Sequence, residues 1–459
     1  MKRRVVITGI GVVSAAGVGI EPLWRALESG TSAIKNCSRF DASGFASHLV
    51  GEARDGDQPF SAKDHVPKHY RKAVKVMSKD VELAVASAKL AVEQAGLVTR
   101  AKEDAPATYP PERTSCHIGA GLIAAETEEL SLAMSSATDD SGAFSLKKWG
   151  TAEGGGGGMN NLQPLWMLKY LPNMLACHVT IIHGLEGPSN TLLNGEASGL
   201  LSLGESLRII QRGAADAGLA GSAESKVNPM GLLRLDLCGR VAHTNASATP
   251  ESTVRPYAKD STGGLVGEAG GIVVVEDETM AKARGVRIHA RVAGFGAAHA
   301  LVPPIPILSS TCDHACPTTK FDPAAVAAAG KGLARAITSA LRDAGLTPAD
   351  IDAAIPEGCG APLPDQAEAF ALREVFGPRA ETLPLICPAP IIGGCAAGNG
   401  GVQAALGAHC LSTQSLPRTH RLNGALHPAE TRNGSTPLRR ILLCSMGVCG
   451  QCAAIVLEA

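Results

Sequence analysis

Aromatic side chains are scarce in this chain of 459 residues, at 3% of the total. That scarcity excludes a series of stacking platforms for nucleic-acid bases. Net charge is equally lacking: 42 Lys and Arg face 43 Asp and Glu, and the isoelectric point lies near 6.9. Such a balance supplies no global field toward nucleic acid or an anionic membrane surface. No stretch has the typical make-up of a membrane-spanning segment of ~20 apolar residues. The opening Met1-Lys2-Arg3-Arg4 and the apolar run 5–13 imitate a signal peptide, but Thr8, Gly9 and Gly11 interrupt the run. A buried first strand is the better reading, and a cytoplasmic protein is expected. A disulfide framework is also disfavoured, because the 13 cysteines are odd in number and the chain is large. Settings such as Leu443-Cys444-Ser445 and Ile386-Cys387-Pro388 read as small core residues in a reducing compartment.

What the chain has is apolar bulk, 45% of residues, and 52 glycines. Short β-rich runs alternate with Ala/Leu-rich stretches, the pattern of a largely parallel α/β sheet system. Strands are expected at 5–10, 117–120, 217–221, 271–276, 288–295, 351–355, 441–445 and 453–457. Helices are expected at 80–95, 198–211, 323–343 and 366–376. Both halves follow one order of elements, although their residues are too dissimilar to count as a sequence repeat. We divide the chain at 1–285 and 286–459. The glycine run 154–158 reads as a surface loop, since the Lys-Ser/Thr continuation of a phosphate-binding loop is missing. The Pro-, Ser- and Cys-rich stretch 303–319 reads as an exposed connection.

Several segments, in order and at regular spacing, resemble the β-ketoacyl synthases. They are Arg4-Val5-Val6-Ile7-Thr8-Gly9-Ile10-Gly11, Met77-Ser78-Lys79-Asp80, Leu171-Pro172-Asn173-Met174, Gly187-Pro188-Ser189, Arg255-Pro256-Tyr257 and Gly267-Glu268. The resemblance implies a thiolase-like α/β fold: duplicated βαβαβαββ halves in a five-layered αβαβα architecture, usually dimeric. It also accounts for Gly9, Gly11 and Ser14 without a dinucleotide, whose G-x-G-x-x-G fingerprint lacks its third glycine here.

Departures from the family pattern fall on its chemistry. Glu196 stands where the family carries its nucleophilic cysteine, Glu357 where it carries the first histidine, and Gly394 where it carries the second. Ala389 replaces a lysine shortly before, and Ala258 an acidic residue after Tyr257, while Asp260 and Glu268 survive. A thioester needs a soft nucleophile, and an acyl-glutamate would be a reactive anhydride, so condensation at Glu196 is excluded chemically. Glu196 is expected to gain from the dipole and free N–H groups of the helix that follows, by ~0.3–1 kcal/mol. Glu196 and Glu357 are expected to face one pocket and to push one carboxyl pKa upward, filling a dead pocket as a hydrogen-bonded pair.

The resemblance therefore implies a chain-length-factor-like subunit without catalytic residues of its own. It would pair with a Cys-containing ketosynthase as a heterodimer, meet acyl carrier protein through the complex, and shape the acyl tunnel in polyketide, polyene or fatty-acid-like elongation. Chain-length factors of this family carry Gln at the lost cysteine, so Glu196 is a further departure. Three alternatives stay open: a decarboxylative priming enzyme acting on malonyl carrier protein, an acid–base enzyme using Glu196 and Glu357, and an acyl-binding homodimer. No cofactor and no metal are expected. Cys449-Gly450-Gln451-Cys452 has redox or zinc spacing but no second CxxC, and reads as packing before the last strand. Cys312, His314 and Cys316 lack a fourth ligand. His178 and His183 read as ordinary strand or turn histidines.

Overall fold

The structure, a computed structural model, describes residues 2–102, 105–150, 156–300, 322–432 and 436–459. In chain order its principal elements are β1 (Val5–Ser14), α1 (Lys79–Gln94), β2 (Thr114–Gly119), α2 (Met174–His183), β3 (Ser189–Leu192), α3 (Ser198–Gln211), β4 (Ala217–Ser225) and β5 (Val266–Asp277). They continue with β6 (Ala290–His299), α4 (Pro323–Ala344), β7 (Ala353–Ile355), α5 (Pro362–Phe376), α6 (Gly398–Thr413), β8 (Arg440–Met446) and β9 (Gln451–Glu458). Local chemistry fixes several boundaries. Ser78 caps α1 by accepting from Val81 N, and Asp322 caps α4 by accepting from Ala324 N. Pro323 opens α4, and Gly345 closes it in the left-handed conformation.

The strands run in the order β7-β8-β9-β6-β1-β5-β4-β2-β3. Starting from β1, the pairings are antiparallel to β5, antiparallel to β4, then parallel to β2 and to β3. Starting from β6, they are antiparallel to β9, antiparallel to β8, parallel to β7, and parallel again across the single bridge Ala354–Leu385. The duplication inferred from element order is thus present as a repeated pairing pattern. The halves are not separate sheets, because β1 and β6 pair through Val6–Arg291 and Ile7–Ala290. Helices α1 and α2 cover the first half, α4 covers the second with α5 packed on it, and α3 and α6 lie between the two sets of strands. That arrangement is the five-layered one.

Glycine explains how tightly these layers sit. A methyl group on Gly9 would stand 2.2 Å from Ala91 O, and one on Gly11 would stand 1.9 Å from Ser87 O, so α1 rests directly on the backbone of β1. The second half repeats this with Gly294 against Ala340 O and Gly296 against Ala336 O, at 2.3 and 2.1 Å. Each of these strands also carries a register shift just before its glycines, between Ile7 and Gly9 and between Val292 and Gly294. Gly9 and Gly11 are helix-packing glycines.

Two expectations need correction. His178 and His183 belong to α2, a strongly apolar helix that Gly184 closes at φ +63°, rather than to a strand or turn. Their Nδ1 atoms meet Tyr70 Oη and Thr99 Oγ1. The strand β3 inside the nucleophile segment was not foreseen, because Ser-Asn-Thr-Leu carries little β signal. Of the glycine run, residues 154 and 155 lie outside the described residues, as do 303–319 with Cys312, His314 and Cys316; Gly158 begins a short 3-10 turn. Among the described residues no helix is long and apolar enough to cross a membrane.

The crossing of α3 and α6 has no room for a β-carbon: one on Gly400 would lie 2.8 Å from Gly199 Cα, and one on Gly199 2.7 Å from Gly400 Cα. Gly→Ala in a helix ordinarily stabilises by ~0.5–1 kcal/mol. Here Gly400→Ala should instead destabilise by ~1–3 kcal/mol, measured as a lowered midpoint in chemical denaturation.

Candidate functional site

Glu196, Glu357 and Gly394 converge because the α3–α6 crossing brings two helix N-termini together. Glu196 leaves a 3-10 turn, Gly195–Ala197, just before α3, with Gly195 at φ +57°. It is buried, at 6% exposure. The side chain makes no capping bond to α3. It extends to the hairpin between β8 and β9, where Val448 N donates to Oε2 at 3.0 Å. The other oxygen faces Arg240, whose Nη2 is 3.6 Å from Oε1. The expected helix cap is therefore corrected: a backbone N–H from the other half and a guanidinium compete successfully for the carboxylate. At the head of α3, Ser198 Oγ instead accepts from Asn194 N and donates to Ala120 O, at 2.8 and 3.2 Å.

Glu357 follows β7 on a loop whose backbone is held by two acids of α5. Glu368 accepts from Glu357 N and Gly358 N, at 2.8 and 3.0 Å, and Asp365 accepts from Cys359 N and Gly360 N, both at 3.1 Å. The Glu357 carboxyl, 5% exposed, accepts from Ser445 Oγ and Asn399 Nδ2, each at 2.5 Å. Burial first, then the charges of Glu196 and Glu368, push it well above the usual carboxylate range, against the two hydrogen bonds. The expected upward shift is present, but the two glutamates do not bond each other; each has its own partners. In its acid form Glu357 can direct its O–H to Ser445 Oγ and keep accepting from Asn399.

Gly394 forms a bridge with Val266, and its N–H donates to Leu265 O at 2.7 Å. A β-carbon there would meet only Leu265 O, at 3.6 Å, so the backbone has room for a side chain. Ala389 is buried against Leu49, Val254 and Leu265.

Glu196, Arg240, Glu357, Cys359, Gly394 and Asn399 are among the walls of one cavity of about 40 Å³. That space suits one or two waters and is far below the ~300 Å³ at which small-molecule sites begin. Arg240, Cys359, Asn399 and Ser445 were not singled out from the sequence. Arg240 follows a helix C-terminus in a loop, where an arginine normally faces water. Here burial opposes its charge, while Glu196, and after it Cys359 and Glu357, hold its pKa above the ordinary range. Cys359 is not poised as a nucleophile. Burial, and then Asp365, push its thiol well above the usual range, and only the thiolate would attack. In the CxxC segment Cys449 is exposed on the hairpin, while Cys452 is buried in β9.

Against this geometry stand the comparisons with known proteins. Residues 2–281 match the family model for the β-ketoacyl synthase N-terminal domain, and 313–423 match that for the β-ketoacyl synthase C-terminal domain. A 3-oxoacyl-[acyl-carrier-protein] synthase 2 of Coxiella burnetii is 29% identical over 92% of this chain and 89% of its own length. Its counterpart in Vibrio cholerae is 28% identical, with the same coverage. Among solved structures, "The ishigamide ketosynthase/chain length factor" superposes with a TM-score of 0.76 at 24% identity, covering 100% of both chains. A type II polyketide ketosynthase in complex with its acyl-carrier protein gives 0.74 at 21%, again covering 100% of both. At these identities the structural likenesses speak for the fold alone.

Two substitutions test the electrostatics. Arg240→Leu leaves a buried carboxylate without its cation and should cost roughly 3–5 kcal/mol by chemical denaturation; adding Glu196→Leu should recover most of it. A carboxyl whose pKa is raised on folding contributes stability that is complete below its unfolded pKa of about 4.3 and is lost as pH rises through the folded value. Glu357, with Asp365 at about 6 and Glu368 at about 7, should therefore make the protein less stable from about pH 5 upward. Glu357→Gln can keep both hydrogen bonds without an ionisable group. It should flatten that decline, melting higher than wild type at alkaline pH and near it at pH ~5.

Proposed function

The chain belongs to the β-ketoacyl synthase family, and from that premise we propose that it is a subunit without condensing activity of its own, of the chain-length-factor kind. The observation that carries this reading is the small, filled site: the Glu196–Arg240 pair occupies the turn where the resemblance puts a nucleophile, beside the Glu357 carboxyl, whose pKa burial pushes well above the usual carboxylate range. Decarboxylation is served no better. Enolate charge calls for donors aimed at it, and here Arg240 faces Glu196 while Asn399 and Ser445 are engaged by Glu357.

A partner is supported by the surface. Strand β3 ends the sheet with Ser189 and Asn190 exposed, and an unpaired strand edge is a template for pairing with another chain. Exposed apolar side chains concentrate between residues 122 and 193, including Leu122, Phe144, Leu146, Leu165, Met167 and Leu193. The partner would be a Cys-containing ketosynthase that receives acyl and malonyl groups from acyl carrier protein, while this chain shapes the space available to the growing product.

Coexpression with a Cys-containing ketosynthase of the same organism is the test. A stable heterodimer is expected, with Glu196→Ala leaving assembly and most elongation activity intact. Failure to copurify would overturn the reading, as would CO₂ release from malonyl carrier protein by this chain alone.

A further inference from the structure

A cavity of about 480 Å³ lies apart from the site of Glu196 and shares no wall with it. Its volume falls in the ~300–1,000 Å³ range of small-molecule sites. Four segments enclose it: the end of the helix Ile20–Ser29, the loop 254–260, the stretch 387–391 and the hairpin 418–426. Hydrogen bonds and packing lock these walls to one another. Ala33 N donates to Ile391 O and Ser32 Oγ to Pro390 O, both at 2.8 Å. His420 N donates to Leu385 O at 2.7 Å, and Leu385 N to His420 O at 3.1 Å. At the hairpin turn a β-carbon on Gly424 would stand 3.3 Å from Ala258 Cα, so the hairpin rests on the loop. Leu27, Val254 and Ile391 are buried apolar walls, while Leu426 is half exposed.

The charged lining is unbalanced. Arg255, Lys259 and Arg418 face only Glu251 and Asp260, and Asp260 is taken up by Arg255 Nη1 at 2.9 Å. Arg418 has no such partner. A β-carbon on Gly30 would lie 2.6 Å from its Nη1 and 3.1 Å from its Cζ, so the guanidinium rests on the C-terminal end of the helix Ile20–Ser29. That end is a favourable place for a cation. Yet no carboxylate or carbonyl among the described residues accepts from it. Two further nitrogens of the lining side chains, Arg255 Nε and His420 Nδ1, are buried without a partner. Folded proteins leave few such groups unpaired, and the Arg255 Nε–H can only donate. Burial, and after it the charge of Arg421, lowers the His420 pKa to about 4, so its ring adds no charge near pH 7. We propose that this cavity binds a small amphiphilic anion, with a carboxylate or phosphate head on Arg418 and an apolar body against Leu27, Val254 and Ile391. A guanidinium receives either head through two parallel N–H···O bonds. This inference does not depend on the subunit role proposed above.

The test is isothermal titration calorimetry of the full-length protein with octanoate, octyl phosphate, octanol and octylammonium. One saturable site with a dissociation constant below about 1 mM is expected for at least one of the anions, and the tighter of the two identifies the head group. Octanol and octylammonium should bind at least about ten-fold more weakly, since neither offers the guanidinium a charged acceptor. Arg418→Ala, at an exposed side chain, should weaken the anion about ten-fold or more and leave the unfolding midpoint near that of wild type. Leu426→Glu, which sets a like charge on the half-exposed wall, should weaken it in the same direction. Octanol binding as tightly as the anions would overturn the proposal, and so would the absence of saturable binding. Anion binding that neither substitution changes would also overturn it, by placing the amphiphile elsewhere, such as on the exposed apolar side chains between residues 122 and 193.

Discussion

Backbone meeting backbone, with no side chain between, is the constraint on which this molecule depends. It recurs at the crossing of α3 and α6, where Gly199 faces Gly400, and on the outer layers, where Gly9 and Gly11 admit α1 and Gly294 and Gly296 admit α4. Helices resting directly on strands allow five layers to be closely packed, and dense interiors tolerate added volume poorly. The same crossing delivers the functional geometry. Glu196 immediately precedes α3 and Asn399 lies in the first turn of α6, so bringing the two helix starts together brings their side chains to one cavity. The site is a by-product of how the halves are joined.

That dependence leaves the body of the fold independent of the groups that line the cavity: none of the interlayer glycine contacts just named involves Glu196 or Glu357. The two carboxyls have only to satisfy burial. Glu196 does so with a backbone N–H and a guanidinium, and Glu357 with Ser445 and Asn399 while burial pushes its pKa well above the usual carboxylate range. A buried charge with its counter-ion and a buried acid in its neutral form are the two usual ways to keep ionisable groups inside a protein.

Much of the fold was legible from residue periodicity and turn chemistry. The helix expected at 198–211 matches α3, and all eight expected strands fall within observed ones or extend beyond them by one or two residues. The strand at 351–355 was placed two residues early because Ile351 is buried but lies outside β7. The duplication was legible only as an order of elements. A sharper signal lay in Thr8-Gly9-Ile10-Gly11 and Ala293-Gly294-Phe295-Gly296, the same G-x-G in the first strand of each half, but nothing in one strand announces the helix resting on it. That Glu196 and Glu357 face one pocket was readable through the family resemblance. Their partners were not, because Arg240 is distant in sequence and an arginine in a polar loop gives no sign that it will be drawn into a pocket. The direction of Glu196 was misread for a related reason: the helix start beside it is local and visible, whereas Val448 is 252 residues away.

The physics of the closed cavity also limits what single changes can restore. A cysteine in place of Glu196 would regain the helix start that favours a thiolate, but it would release Arg240 from its carboxylate inside a buried pocket. Glu357 would still present a carboxyl, and Gly394 no side chain at a place with room for one. Charge balance in the pocket thus couples Glu196 to Arg240 and Glu357. Any substitution of Glu196 therefore also has to settle the charge of Arg240 and the proton of Glu357.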